Sequence, residues 1–315
     1  MARQIAIQAV FSVISLLFVS VITFFLVDML PGDAAERILG QNATPESLAL
    51  LRQQLGLDQS AAVRYVTWMA DILRGELGTS TIAGQSVVDY ILPRLVNSAT
   101  LAMFALAIYI PLSIALGMIT AIYRDTTVDI AISIFVLIGM CIPEFVIAIF
   151  LVSLFAVTLG WFPALALIDT AHGFGELVTV LALPVITLVA VMCAYSVRLM
   201  RESLVQILDS DYVQLANLKG LPSWRVLGWH ALPNALGPAL NVLALNIAWL
   251  IGSIVLVETV FNFDGLGRLL IDSVNYKDTP VVQAIVLILC LVYIISNLLA
   301  DISIMALNPK LRART

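Results

Sequence analysis

The chain has 315 residues, of which 61% are hydrophobic and 12% are charged, and its formal net charge is −5. A soluble domain has about 25% charged residues and no core that could bury so much apolar surface, so this composition excludes a soluble protein and indicates an integral membrane protein. The sequence has no cluster of basic residues, which argues against nucleic acid as a partner.

Six apolar stretches are long enough to cross a bilayer, which requires about 20 residues. They predict an all-α membrane protein with six transmembrane helices, because only helices satisfy their own backbone hydrogen bonds in lipid over such lengths. Prolines inside the stretches, such as Pro143 and Pro184, predict kinks. The six stretches are Ala9–Val27, Ala99–Ile122, Ile130–Leu159, Leu177–Val197, Leu236–Val257 and Val281–Ala300.

The segment between the first two spans predicts a small helical cap. Thr44-Pro45-Glu46 is typical of a helix start, with a capping hydroxyl, a proline in the first turn and an early acid. Gly56 would end this helix. A second helix is predicted over 61–73, with Tyr65 and Trp68 on one face. We expect both helices to lie on the membrane part of the protein; the alternative is a solvated loop that only joins two spans.

The segment 198–235 is a polar interruption between two apolar spans. Burying its seven charges at the centre of a bilayer would cost about 20 kcal/mol, so this segment lies in water or against a partner protein. Gly220-Leu221-Pro222 predicts a turn between two short helices, because glycine accepts a left-handed backbone and proline prevents continuation. Ser223 is the predicted N-cap of the second helix.

Lysine and arginine predict the orientation of the chain. With both termini in the cytoplasm, nine of these residues lie inside and two, Arg268 and Lys277, lie in the last outer loop. The predicted organisation follows in chain order: a first transmembrane helix over 1–29, an extracytoplasmic cap over 30–98, a five-helix core over 99–307 and a cytoplasmic tail over 308–315.

Three acidic residues near or within the spans are candidates for a translocation path or gate. Glu144 follows Pro143 inside the third span, and an ionisable residue at such a depth faces a cavity or a partner. Its alternative role is a carboxyl group that is hydrogen-bonded to a neighbouring helix. Glu258 and Asp264 flank the end of the fifth span, before a turn at Gly265 and Gly267. Their alternative role is a rigid, hydrogen-bonded loop.

No enzymatic or metal site is predicted. The two histidines, His172 and His230, fall on opposite sides of the membrane in this topology, and the three cysteines lie in apolar stretches without the spacing of metal ligands. The sequence also has no glycine-rich loop of the kind that cradles the phosphates of ATP.

The spacing of Gly220 and Leu232-Pro233 in the polar segment resembles the cytoplasmic loop of permeases from bacterial ATP-binding-cassette (ABC) importers. That loop has Glu-Ala-Ala, three residues, Gly, nine residues and then Ile-x-Leu-Pro. Ala216 also matches, whereas Gln214, Leu215 and His230 depart from the pattern. By this resemblance, the residues implied to couple the chain to an ATPase are Asp211, Tyr212, Gln214, Ala216, Gly220, Leu232 and Pro233.

Segments elsewhere in the chain resemble the first-permease branch of the peptide/nickel importer family, in the same order along the sequence. These segments are 30–33, 43–46, 51–58, 73–78, 257–268 and 307–312. The resemblance implies the type I ABC importer permease fold and a bacterial inner-membrane, multi-pass protein. It implies a second homologous permease, two cytoplasmic ATPases and an extracytoplasmic solute-binding protein as partners, with ATP and Mg²⁺ bound by the ATPases and no cofactor in this chain.

The implied function is ATP-driven import of di- or oligopeptides, with nickel chelates, oligosaccharides or opine-like solutes as alternative substrates. Two other classes remain as alternatives: an ATP-independent secondary transporter or channel, and a membrane anchoring protein without a pore. A secondary transporter would require buried ion-relay charges or an inverted repeat, and the two halves of this sequence are not alike.

Overall fold

The computed structural model describes residues 2–29, 32–40 and 43–307. For residues 2–9, 37, 236–244 and 299–307 it describes the backbone only. The predicted tail 308–315 lies outside these residues. The described residues are helical apart from connecting loops and one antiparallel bridge between Thr79 and Ser86. The helices are α1 Ala2–Met29, α2 Ala34–Leu39, α3 Pro45–Gln54, α4 Ala61–Leu73, α5 Val87–Ile122, α6 Thr127–Cys141, α7 Glu144–Leu151, α8 Phe174–Leu208, α9 Asp211–Leu218, α10 Ser223–Arg225, α11 Leu232–Val260, α12 Leu266–Tyr276 and α13 Thr279–Leu307. Two π-helical segments, Val152–Thr158 and Val226–Ala231, follow α7 and α10, and a 3₁₀ turn covers Ile168–Thr170.

Five of the six apolar stretches each lie within one helix, as predicted, whereas the third is divided between α6, α7 and the π-helical segment that follows α7. Within the described residues, α1, α5, α8 and α13 are each long and apolar enough to cross a membrane alone. The third stretch is one span only if its two halves are counted together, because Thr127–Cys141 and Glu144–Thr158 meet at an angle of 108°. The fifth stretch lies in α11, where residues 245–260 form the described apolar part.

Pro143 therefore marks a break rather than the predicted kink. Ile142 has an extended backbone and Pro143 is the N-cap of α7, so the helical hydrogen bonds stop and begin again. By contrast, α8 continues through Pro184.

The chain divides into two compact units. The first contains residues 1–98 and 264–294. Its core joins the start of α5 to α12 and α13 through buried aliphatic side chains, including Ile91, Leu266 and Ile285. Asp278, which is buried just before α13, accepts hydrogen bonds from the hydroxyl groups of Ser80 and Thr81.

The predicted cap helices form in this first unit at the predicted positions. Thr44 and Ser47 make reciprocal hydrogen bonds at the start of α3, and Pro45 is its first residue. Arg52 of α3 pairs with Asp33, the N-cap of α2, at 2.6 Å. Partial burial raises the pKa of Asp33, but the backbone N–H of Glu36 and the Arg52 guanidinium outweigh this effect and hold the pKa below its usual value.

The second unit contains residues 99–263 and, of the described residues, 295–307, and α8 runs through its centre. The buried side chains of α8 pack against α6, α7 and α11. At 35 residues, α8 is about 50 Å long, whereas the hydrocarbon core of a bilayer is about 30 Å thick. The helix therefore carries its charged end well beyond the hydrocarbon.

Candidate functional site

The polar segment forms a projecting elbow, residues 209–233, between α8 and α11. The structure departs from the predicted pair of short helices on both sides. Residues 198–208 continue α8 without a break, and the helical run that begins at Ser223 leads directly into α11, so α9 is the one separate helix. Pro222 is the N-cap of this run and Ser223 is its first residue, so the predicted capping role of Ser223 is wrong.

One face of α9 holds the elbow together. Val213 and Ala216 are buried against Val226 of the following π-helical segment. Leu208 at the end of α8 and Leu221 after α9 pack on this small cluster. The apolar contacts fix α9 to both of its neighbours in the chain, which makes the elbow a defined body rather than a flexible connection.

Gly220 ends α9 with a left-handed backbone, as predicted. Its φ is +73°, its N–H donates to the carbonyl of Asn217 at 2.9 Å, and the N–H of Leu221 donates to the carbonyl of Ala216 at 3.4 Å. These two bonds are those of a Schellman motif. A Cβ atom added at Gly220 would meet nothing within 4 Å, so backbone conformation and not space selects glycine in this chain.

The opposite face of α9 is exposed and carries two leucines among polar residues. Asp211, Tyr212, Gln214, Leu215 and Leu218 are all exposed, and Leu218 reaches 84% exposure. The predicted coupling residues therefore divide: Ala216 is buried inside the elbow, Gly220 and Pro233 are exposed, and Leu232 is half-buried in the first turn of α11. Two further exposed side chains that the sequence reading did not select are Trp224 and Trp229.

His230, which departs from the family pattern, bridges the two arms of the elbow. Its Nδ1 atom lies 2.5 Å from the hydroxyl of Tyr212, and the two rings pack edge to face at 5.5 Å. The residue thus connects α9 to the helical run that becomes α11.

Charged pairs tie the elbow end of the unit together, and the sequence did not predict them. Asp129, only 3% exposed, receives two hydrogen bonds from Arg201 of α8, at 2.8 and 2.5 Å. Arg124, between α5 and α6, pairs with Asp209 at 2.7 Å, and this carboxylate raises the pKa of the guanidinium. A cleft of about 450 Å³ borders Arg201, but its charged lining residues are already paired, Arg198 with Glu202 and Arg201 with Asp129. The sequence did contain a signal for the Asp129 pair. Asp129 is an acidic residue in the first turn of the apolar helix α6, and an ionisable group at such a position requires a cationic partner.

Glu144 is the first residue of α7, directly after the break at Pro143. Its carboxyl group lies beside Ser253 of α11. Its Oε1 atom is buried and makes no hydrogen bond within the part of the chain that the structure describes. The helix break therefore places this carboxyl group against α11.

Glu258 and Asp264 lie in different environments. Glu258 is fully buried in α11, and its carbonyl accepts the N–H of Phe263 at 2.8 Å. Asp264 pairs with Arg94 at 3.0 Å and its carbonyl accepts from Asn97, both within the first unit. The turn before α12 is made at Asn262, with φ of +52°, and by Gly265 as N-cap, whereas Gly267 lies inside α12. Asp264 is thus held by two contacts from α5.

A buried polar network joins three helices of the second unit and was also missed. Asn246 of α11 donates to the hydroxyl groups of Tyr109 in α5 and Ser196 in α8, both at 2.7 Å. Buried polar groups of this kind need partners, which here come from helices distant in sequence.

The comparisons with known proteins agree with the helical architecture. Residues 113–313 match the family described as binding-protein-dependent transport system inner membrane component, and residues 1–102 match the N-terminal family of the same systems. The chain belongs to this family of inner-membrane transport components. It is therefore a multi-pass permease of an ABC importer family and not a member of a known enzyme family.

Relatives with similarity over nearly the whole chain carry related names. A Brucella abortus (strain 2308) protein described as a peptide transport system permease is 36% identical over 300 residues, which is 94% of this chain and 95% of the relative. The glutathione transport system permease protein GsiC of Salmonella typhi is 35% identical over 298 residues, 95% of each chain. A crystal structure described as an amino acid ABC transporter with histidines covers 70% of this chain and 94% of its own, with a TM-score of 0.54 and 17% identity, which supports the fold.

Proposed function

We propose that this permease forms one half of the translocation path of an ATP-driven peptide importer and is driven through the elbow by a cytoplasmic ATPase. A second, homologous permease would form the other half, and an extracytoplasmic binding protein would deliver the substrate. In this arrangement both termini and the elbow lie in the cytoplasm. The nine-to-two distribution of lysine and arginine supports this orientation.

The exposed leucines of α9 are the observation that carries the proposal. Leu215 and Leu218 lie three residues apart, on one side of a short helix whose other side is fixed by Val213 and Ala216. Exposed leucines on a segment that must stand in water are costly unless a partner covers them, and they fit an apolar groove on an ATPase. Closure of two ATPases on ATP would move this rigid elbow and, through its helical continuity with α11, the span itself.

A matched pair of substitutions tests the coupling role. Leu218→Glu places a charge on the docking face, and we expect at least about a tenfold loss of ATP-driven uptake and of ATPase co-purification, because a central apolar contact is replaced by a charge. Leu50→Glu, on the exposed surface of α3, is the control and should leave both unchanged. Uptake and co-purification are compared at equal membrane abundance. Normal co-purification with Leu218→Glu would contradict docking through α9.

The peptide substrate is proposed from the relatives, whose names specify peptide and glutathione transport. Nickel chelates, oligosaccharides and opine-like solutes are the alternatives. Native mass spectrometry of the cognate binding protein decides between them, and a non-peptide ligand carried by that protein would refute the assignment without affecting the coupling mechanism.

We also propose Glu144 as a residue of the path. Its carboxyl group lies at the break between α6 and α7, where helix geometry exposes backbone groups, and one of its oxygens has no hydrogen-bond partner among the described residues. Such a group can accept a hydrogen bond from a passing substrate. Glu258, fully buried in α11, and Asp264, paired with Arg94, are better placed to hold the gate region rigid than to contact substrate.

A further inference from the structure

Helix α4 of the cap packs directly on the apolar part of α1. Tyr65 hydrogen-bonds to Ser20 at 2.8 Å, and its ring lies edge to face with Phe24 at 5.3 Å. Trp68 also contacts Phe24, and Arg64 forms an ion pair with Asp28. These contacts cover one narrow face of α1, where Ser20 and Phe24 are buried although α1 is otherwise widely exposed.

These contacts place α4 beside the last turns of the first span, on the bilayer side of Met29. The apolar part of α1 runs from Val10 to Met29, and Phe24 and Ser20 lie five and nine residues before its end. At 1.5 Å per residue, these positions are about 7 and 13 Å below Met29, within a hydrocarbon core about 30 Å thick. Helices α2 and α3 are too short to cross the bilayer, so α4 returns to the same leaflet that α1 has just left.

The face of α4 that points away from α1 is mainly apolar. Ala62, Val63 and Val66 are exposed there, with Val66 at 65% exposure, and Thr67 is the one exposed polar residue of the helix. The one charge in the first two turns, Arg64, points to Asp28 and is neutralised there. In α3 of the same cap, by contrast, the exposed residues include Glu46 and Gln53.

We propose that α4 is an interfacial membrane helix whose Val63–Val66 face contacts the lipid acyl chains of the leaflet at the Met29 end of α1. Interfacial helices bury an apolar face about 5–10 Å below the headgroups, which matches the depth set by Phe24. Tyr65 and Trp68 are of the residue types that concentrate at this level. On its own exposed side, α1 presents apolar side chains such as Leu26 and Ile22 at this same depth, which points to lipid as the occupant of exposed apolar surface at this level. The cap is thereby anchored beside the first span.

Fluorescent labelling at two matched positions tests the proposal. Val66→Cys and Leu50→Cys are made in the full-length chain with its native cysteines replaced by alanine, labelled with an environment-sensitive dye and placed in phospholipid nanodiscs. The two parent side chains are 65% and 62% exposed, so the protein alone shields them equally. Both substitutions are small and surface-located, which keeps the fold intact.

We expect the dye at position 66 to be quenched by lipids that carry a spin label near the headgroup, and to be quenched by aqueous iodide at least about threefold less than the dye at position 50. Equal quenching of both dyes by iodide would overturn the proposal. Protection of position 66 from lipid and iodide alike would also overturn it, and would identify this face as a protein contact. Neither readout depends on uptake, so failure here and failure of the coupling mechanism are separable.

Discussion

Replacing Asp129 with asparagine removes a carboxylate that α6 and α8 share. Asp129 accepts two hydrogen bonds from Arg201, one from the N–H of Asp125 at 3.0 Å and one from the hydroxyl of Ser133 at 3.2 Å. Asparagine has nearly the same volume but no charge, and its amide nitrogen cannot accept the second bond from the guanidinium. The substitution therefore leaves Arg201 in a largely buried position with half of its pairing lost.

The expected cost follows from burial. Removing one partner of a buried ion pair costs about 3–5 kcal/mol, and because the side chain of Arg201 keeps 28% exposure we expect the lower end, about 3 kcal/mol. At about 2–4 °C per kcal/mol for a unit of this size, the Tm should fall by about 6 °C or more. The control is Asp209→Asn, which breaks a pair whose side chains are 45% and 54% exposed and whose loss costs about 0–1 kcal/mol.

The assay is thermal unfolding of the detergent-solubilised protein, followed by fluorescence-detected size exclusion after heating. Combining Asp129→Leu with Arg201→Met should recover much of the loss seen with Asp129→Leu alone, because the uncompensated charge is then removed as well. The reasoning is refuted if Asp129→Asn and Asp209→Asn have equal Tm values, or if the double variant is less stable than Asp129→Leu.

Two further predictions concern a close helix contact and the proposed path. Gly117→Ala would bring a Cβ atom to 2.6 Å from the Met200 side chain, which should cost about 1–3 kcal/mol and lower the Tm. The control is Gly139→Ala, whose Cβ atom would lie 3.6 Å from the Ala194 side chain and should not destabilise the protein. Equal Tm values for the two variants would contradict this packing of α5 on α8. Glu144→Gln should reduce peptide uptake at unchanged membrane abundance, because the amide retains the shape of the side chain but has only one accepting oxygen; unchanged affinity and rate would remove this residue from the path.

Local chemistry made the cap helices predictable. The Thr44–Ser47 capping box and the first-turn proline lie within four residues of one another, and Gly56 and Gly75 have the positive φ values expected of residues that end helices. The second cap helix was predicted over the residues it occupies, 61–73. The left-handed backbone at Gly220 was also predictable from local sequence, because a turn of this kind requires few residues and no distant partner.

The elbow shows where such local reasoning fails. Proline at 222 stops α9 in any context, but whether the chain after it forms a separate helix depends on how it packs. Val226 is buried against α9, and the run that starts at Ser223 continues through a π-helical segment into α11. Likewise, Pro143 disrupts the third span by its own chemistry, while the 108° angle is set by the neighbours on which each half packs.

Composition and periodicity alone determined that this chain is a helical membrane protein, where its apolar stretches lie and which segment must leave the bilayer, because apolar length and charge act on each segment separately. Only the tertiary structure decided the partners of the polar groups within the spans. Asp129 and Arg201 are 72 residues apart, and Tyr109 and Asn246 are 137 apart, so no local pattern could pair them. Burial in a low-dielectric interior makes each such group depend on the one side chain that folding brings within hydrogen-bond distance.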